Sequence, residues 1–235
     1  MEQNRQWDNL DPAGFLAAVQ MEYGKTARNQ SIEALGPLLQ ANYLTTKVVA
    51  SIAMRMDRKK VLLNSIYEER NGLFAVFVLG LFVITDAIVE ARYLQAHALI
   101  RQEIEILAHL TSIRQGRPRK PTPNVGGLRE DIRRLYGSLS QAAHLSHHHI
   151  VRTAVGASSS PEGYEDTKVT RFYPEVDPGL ARRSYALQTF IMMQVAEEVC
   201  LGPGGCSLGA YTDEDHANLR DAINIMTSEG MLHGE

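Results

Sequence analysis

GLFAVFVLGLFVIT, Gly72 to Thr85, runs for fourteen residues without a charge. At ~1.5 Å per residue a helix of that length covers about 21 Å, short of the ~30 Å hydrocarbon layer of a bilayer. Asp86 closes the run, and Arg70 and Asn71 precede it. The expectation is a helix buried in a protein bundle, with no membrane crossing. The next segment, Ala91 to Ile113, contains neither Gly nor Pro and also suits a helix. At ~100° per residue, Leu94, Ala98, Ile104 and Ala108 fall on one side, Leu99, Ile106 and Leu110 on another, and Ile100 and Leu107 on a third. Two consecutive helices without a clean polar face require that one or both be central, or that a second copy cover the outer face.

The rest of the chain extends the pattern. Asp11-Pro12 predicts a first helix, with Asp as cap and Pro in the first turn. A break is expected at Asn29-Gln30-Ser31, with Ser31 capping a short helix that Gly36-Pro37 interrupts. Helical spacing of Leu44, Val48, Ile52, Met56, Leu63 and Ile66 predicts a helix from Ala41 to about Glu69, and Asn71-Gly72 reads as a turn. QGRPRKPTPNVGG, Gln115 to Gly127, is a linker by its prolines and glycines. A third long helix from Leu128 to about Val155 carries Leu128, Ile132, Leu135, Leu139 and Ala142 as a stripe. After an irregular segment, 156–179, in which KVTRFYP reads as one extended strand, Arg182 to Cys200 and Asp213 to Glu229 read as the last helices, separated by Gly-Pro-Gly-Gly at 202–205. There is no strand–helix alternation and no internal repeat. The fold class is all-α: a multi-helix bundle with a long central helical pair and irregular connecting loops. One domain, 1–235, is preferred, with 115–127 as the internal linker.

Composition bounds the function classes. The chain has 235 residues, 44% apolar and 22% charged, with 18 Gly and 9 Pro, which excludes collagen-like and wholly disordered classes. The formal charge of −3 argues against strong steering to nucleic acid or membrane. Two cysteines form no disulfide scaffold and fit a reducing cytoplasm; the amino terminus has no signal-peptide pattern.

The residues most able to carry chemistry lie on the helices flanking the linker. Arg101 and Glu105, four apart, share the Leu94-Ala98-Ala108 side, so a charged pair sits among apolar neighbours. Tyr136, Ser140 and His144 also recur every four residues, and His147, His148 and His149 follow. Antiparallel packing would join Arg101, Glu105, Tyr136, Ser140 and His144 in one polar cluster, either fixing the helices or lining a pocket. Glu105 and His109 share a face, and with His147 they are the candidate metal ligands, although no H-E-x-x-H is present. Arg114, Arg117, Arg119, Lys120, Arg129, Arg133 and Arg134 against Glu130 and Asp131 give a basic patch in which Arg117, Arg119, Lys120, Arg129 and Arg133 are the candidate phosphate contacts. That patch also has an intramolecular alternative, the acidic carboxy-terminal region. No G-x-S-x-G, C-x-x-C or phosphate-binding glycine motif occurs, and no cofactor is expected.

EARYLQAHALIRQEIEILAHL followed by YGSLSQAAHLSH resembles an uncharacterised family of bacterial all-helical proteins, distantly similar to HEPN-type helical domains. In that group an R-x3-E helix precedes a Y-x-x-L-S-x3-H helix, which falls here on Arg101, Glu105, Tyr136, Leu139, Ser140 and His144. HEPN-type ribonucleases use R-x4-to-6-H, and Arg92 to His97 fits the spacing, with Tyr93 where such motifs usually carry a small polar residue. Five helical positions set those two side chains about 140° apart, so they converge only through distortion or across a dimer.

The function expected is a helical interaction or ligand-binding module in a bacterial cytoplasm. The alternatives are a HEPN-like, metal-independent endoribonuclease using Arg92 and His97, and a metal-binding helical bundle. A homodimer is expected, with Phe74, Phe77 and Leu81 as interface residues; a further protein partner is open, and RNA is not favoured.

Overall fold

The computed structural model describes residues 10–57, 65–117, 122–143, 173–201 and 210–232. Among them are seven α-helices: α1 Pro12–Leu35, α2 Leu38–Met56, α3 Ser65–Val89, α4 Tyr93–Arg114, α5 Glu130–Ala143, α6 Pro178–Leu201 and α7 Asp213–Ser228. A single 3₁₀ turn, Val125–Gly127, precedes α5, and no strand occurs among the described residues. The chain is a multi-helix all-α bundle. His144, His147, Arg119, Lys120, most of KVTRFYP and the 202–205 glycine stretch lie outside the described residues, as does the second half of the helix expected to reach Val155.

Asp11 caps α1 by accepting the Gly14 amide at 2.6 Å, ahead of Pro12. Asp177-Pro178 repeats the device at α6, where Asp177 Oδ1 accepts the Leu180 amide at 2.8 Å. The helix expected from Arg182 therefore begins a turn earlier. At Gly36 the chain takes φ 50, a left-handed value suited to glycine, and the α1–α2 break follows.

Four boundaries differ from expectation. The helix expected from Ala41 to about Glu69 ends at Met56, where Asp57 turns extended, and Ser65 to Glu69 open α3. No break occurs at Asn29-Gln30-Ser31: α1 continues to Leu35 and Ser31 is fully buried within it. Asn71-Gly72 is not a turn, because α3 runs through both. Tertiary packing overrides the weak helix preference of Asn and Gly. The turn lies instead at Ala91, φ 57, where neither Gly nor Pro signals it.

Helix α4 is central, packed against α3, α5 and α6, while α2 packs on both α6 and α7. Ile100, Ile104 and Leu107 of α4 and Ile191, Met192 and Val195 of α6 share one core with Val48 and Ile52 of α2. Asn42 sits in this core, its Nδ2 donating to Thr189 Oγ1 at 2.9 Å and facing Met192 Sδ at 3.6 Å.

Helix α3 is peripheral, and its two sides are used differently. Phe74, Phe77, Leu81, Ile84 and Ile88 are buried. These include the three residues expected at a dimer interface, which instead build the core. The opposite side exposes Val76, Leu79, Phe82 and Val83. A uniformly apolar sequence carries no polar positions to mark which side faces in. By length and composition Ile66–Val89 is long and apolar enough to cross a membrane. The length limit drawn from the charge-free run does not hold, because the helix continues through Arg70 and Asp86. Leu135, expected within the inward stripe of α5, is exposed, whereas Leu128, Ile132 and Leu139 are buried.

Candidate functional site

The α4–α5 seam brings together Arg101, Glu105 and Tyr136. Arg101 Nη2 lies 2.8 Å from Glu105 Oε1 and donates to the Tyr136 hydroxyl at 3.3 Å. That hydroxyl donates onward to Glu105 Oε1 at 2.9 Å, and the guanidinium lies 5.4 Å from the Tyr136 ring centroid. All three are half-buried, and Arg101 Nε is buried without a hydrogen-bond partner among the described residues. The Tyr136 hydrogen bond holds the Arg101 guanidinium charged. Ser140, half-buried on α5, makes no hydrogen bond to this trio among the described residues, and His144 lies outside them. Glu105 thus has its carboxylate committed to an arginine and a phenol. As an anion site the cluster is self-neutralised; as a clasp it ties α4 to α5 through Tyr136.

No group of three or more potential metal ligands occurs among the described residues. His109 is half-buried on α4, the neighbouring Glu105 is engaged as above, and His147 is not described.

Arg92 and His97 point to different neighbours. Arg92, at the start of α4, pairs with Glu90 at 3.0 Å and is half exposed. His97 faces α6, with Nε2 2.9 Å from Ser184 Oγ. Burial, then the charge of Arg183, lowers the His97 pKa below its ordinary 6.5. No described hydrogen bond or ion pair joins Arg92 to His97 within the chain. The His97–Ser184 pair has the elements of a base and a hydroxyl, but Ser184 is only 2% exposed, which denies a substrate access to its oxygen.

Three arginines of the basic patch are engaged by carboxylates. Arg114 makes a two-pronged contact with Glu198 of α6, at 2.6 and 3.0 Å. Arg129 pairs with Asp131 at 3.2 Å and lies over the Phe190 ring, and Arg134 pairs with Glu130. Arg117 is exposed, its guanidinium over Gly127, and Arg133 is exposed on α5. The acid that engages Arg114 belongs to α6 and not to the carboxy-terminal segment.

Sequence reasoning missed Glu103. It lies mid-helix in α4, 3% exposed, on the face that carries Ala96, Ile100, Leu107 and Leu110. Neither carboxylate oxygen has a hydrogen-bond partner among the described residues, and burial raises its pKa well above the ordinary 4.5. The signal was present, since four apolar residues surround its helical position. Arg70 of α3, 3% exposed, was also missed; burial lowers its pKa, and its guanidinium lies 5.5 Å from the Tyr67 ring centroid.

No protein-family model, curated protein or solved structure matches this chain. What stands is an all-helical domain; the likeness to HEPN-type domains draws no support from these comparisons.

Proposed function

We propose that this chain is a helical interaction module whose contact surface is the outer side of α3. One observation carries the reading: Val76, Leu79, Phe82 and Val83 form a contiguous apolar strip, with Leu79 79% and Phe82 67% exposed. Isolated exposed apolar residues are ordinary, but an uninterrupted strip on one helix marks a contact surface, with a protein or with lipid. The polar groups elsewhere fit this role, because Arg101, Glu105 and Tyr136 satisfy one another and hold α4 to α5 without leaving a reactive group displayed.

The test is a photo-crosslinking residue placed at Leu79 and, as control, at exposed Glu33 of α1. A protein adduct formed from position 79 and not from position 33 is expected; none from either would end the reading. A HEPN-type endoribonuclease is the alternative, and it rests on the Arg92–His97 spacing alone. Metal-free RNA cleavage lost in a folded His97→Ala variant would favour it.

A further inference from the structure

We infer that the occupant of the α3 surface is a second copy of this chain, lying antiparallel, α3 on α3, about a two-fold axis near Leu79; this rests on the interaction-module reading.

Charge first separates the candidates. Exposed Glu68 and Asp86 are eighteen positions apart, about five turns at ~3.6 residues per turn, so they lie in line at the two ends of the strip. Leu79, eleven positions after Glu68, falls about 20° from that line. A lipid surface is opposed at one end of the strip, where Glu68 would bring a carboxylate to the headgroups and anionic lipid would repel it; Asp86 at the other end is paired with Arg28.

Charge also selects the direction. In a parallel pair Glu68 would oppose its own copy at like-charge cost. In an antiparallel pair Glu68 lies over the far end of the partner's α3. There Arg28 bridges Asp86 at 2.8 Å and Glu90 at 3.0 Å, and Arg92 pairs with Glu90. Those two arginines balance the two acids and remain 40% and 51% exposed. The acidic end of one strip therefore meets a neutral end that offers guanidinium groups. Antiparallel helices also set their dipoles in opposition, which favours this arrangement.

Area fits a modest dimer. Val76, Leu79, Phe82 and Val83 present on the order of 500 Å² of apolar surface, against ~800 Å² per partner in a standard stable interface. With the Arg28 and Glu68 margins included, the surface approaches the lower end of that class. Self-association in the micromolar range is the result expected.

The experiment combines sedimentation with directed disulfides. The full chain should sediment as two 26.1 kDa units at tens of micromolar and dissociate on dilution. Leu79→Glu, a surface change, should weaken the dimer on the order of 100-fold while keeping the helical spectrum. In a Cys206→Ser background, antiparallel pairing sets Val76 opposite Phe82. Mixing Val76→Cys and Phe82→Cys chains should give a mixed disulfide dimer, and Val76→Cys alone should give little. A Val76→Cys homodimer in preference to the mixed species would overturn the antiparallel arrangement. A strictly monomeric wild type would overturn the second copy; if position 79 then crosslinks to a different protein, the module reading survives, and if it crosslinks to nothing, both fail. Binding of wild type, but not Leu79→Glu, to phosphatidylserine vesicles would overturn both in favour of a lipid surface.

Discussion

The Tyr136 hydroxyl donates to Glu105 Oε1 at 2.9 Å across the α4–α5 seam, while Arg101 Nη2 stands 2.8 Å from the same oxygen. One carboxylate oxygen thus collects both donors. Tyr136→Phe is expected to cost about 1 kcal/mol and Glu105→Gln a similar amount, reduced from a fully buried value because the groups are partly solvated. The double variant should cost less than the sum, with a coupling of ~0.5 kcal/mol or more. Urea unfolding of the four proteins checks this, and strict additivity would mean that the contact contributes nothing in solution.

Glu103 sets a pH dependence of stability. Its folded-state pKa lies well above 4.5 and the unfolded chain titrates near that ordinary value, so the folded state holds the proton more tightly. Its contribution is most favourable below about pH 4.5 and declines as pH rises through the raised folded value. Glu103→Gln should remove that decline, and Glu103→Leu should stabilise the protein by about 2 kcal/mol at pH 8. Melting curves from pH 4 to 9 decide the matter. Equal pH slopes in wild type and Glu103→Gln would show that the carboxyl finds solvent or a partner.

His97 acts in the opposite direction. Its folded pKa lies below 6.5, so its contribution is complete above that value and is lost as pH falls from 6.5 through the lowered one. His97→Gln should flatten stability between about pH 5 and 6.5. The His97 ring resonances, followed by NMR, should titrate below those of a free histidine; titration at or above 6.5 would contradict the burial on which this rests.

Asp215 joins a cap to an ion pair. It accepts the Thr212 amide at 2.9 Å, while Thr212 Oγ1 accepts the Asp215 amide at 3.1 Å, and Arg55 of α2 reaches Asp215 Oδ2 at 2.8 Å. Asp215→Ala is expected to cost about 2 kcal/mol, the sum of one lost half of the capping box and a broken ion pair, with Arg55 keeping Ser51 and the Ala210 carbonyl. Arg55→Met should cost less, since it leaves the cap intact. Chemical denaturation of both gives the comparison, and equal losses would mean that the cap carries little.

What could be read from the sequence follows a physical division. Asp11-Pro12 and Gly36-Pro37 marked real boundaries because they act through local backbone chemistry. The four-residue step of Arg101–Glu105 aligned one side of the clasp, because helical period is carried by sequence alone, whereas the step from Tyr136 to Ser140 brings no second α5 group into it. Ser31 and Asn71-Gly72 failed as breaks because neighbouring helices bury or support them, and that influence comes from residues far along the chain. The orientation of α3 failed for another reason: Phe74 and Leu79 are equally apolar, so only the tertiary partner distinguishes the buried from the exposed. Glu103 is legible from its helical position, because Ala96, Ile100, Leu107 and Leu110 share its face.

The Asn42–Thr189 hydrogen bond has a consequence in time. Its partners are 147 positions apart, so during synthesis α2 exists well before the strand of chain that will become α6. At ~5–20 residues per second the interval is on the order of ten seconds. Through that interval Val48, Val49 and Ile52, all buried in the finished bundle, have no α6 against which to pack. The apolar face of nascent α2 is therefore covered in two late steps, by α6 when Thr189 arrives and then by α7, the last helix described.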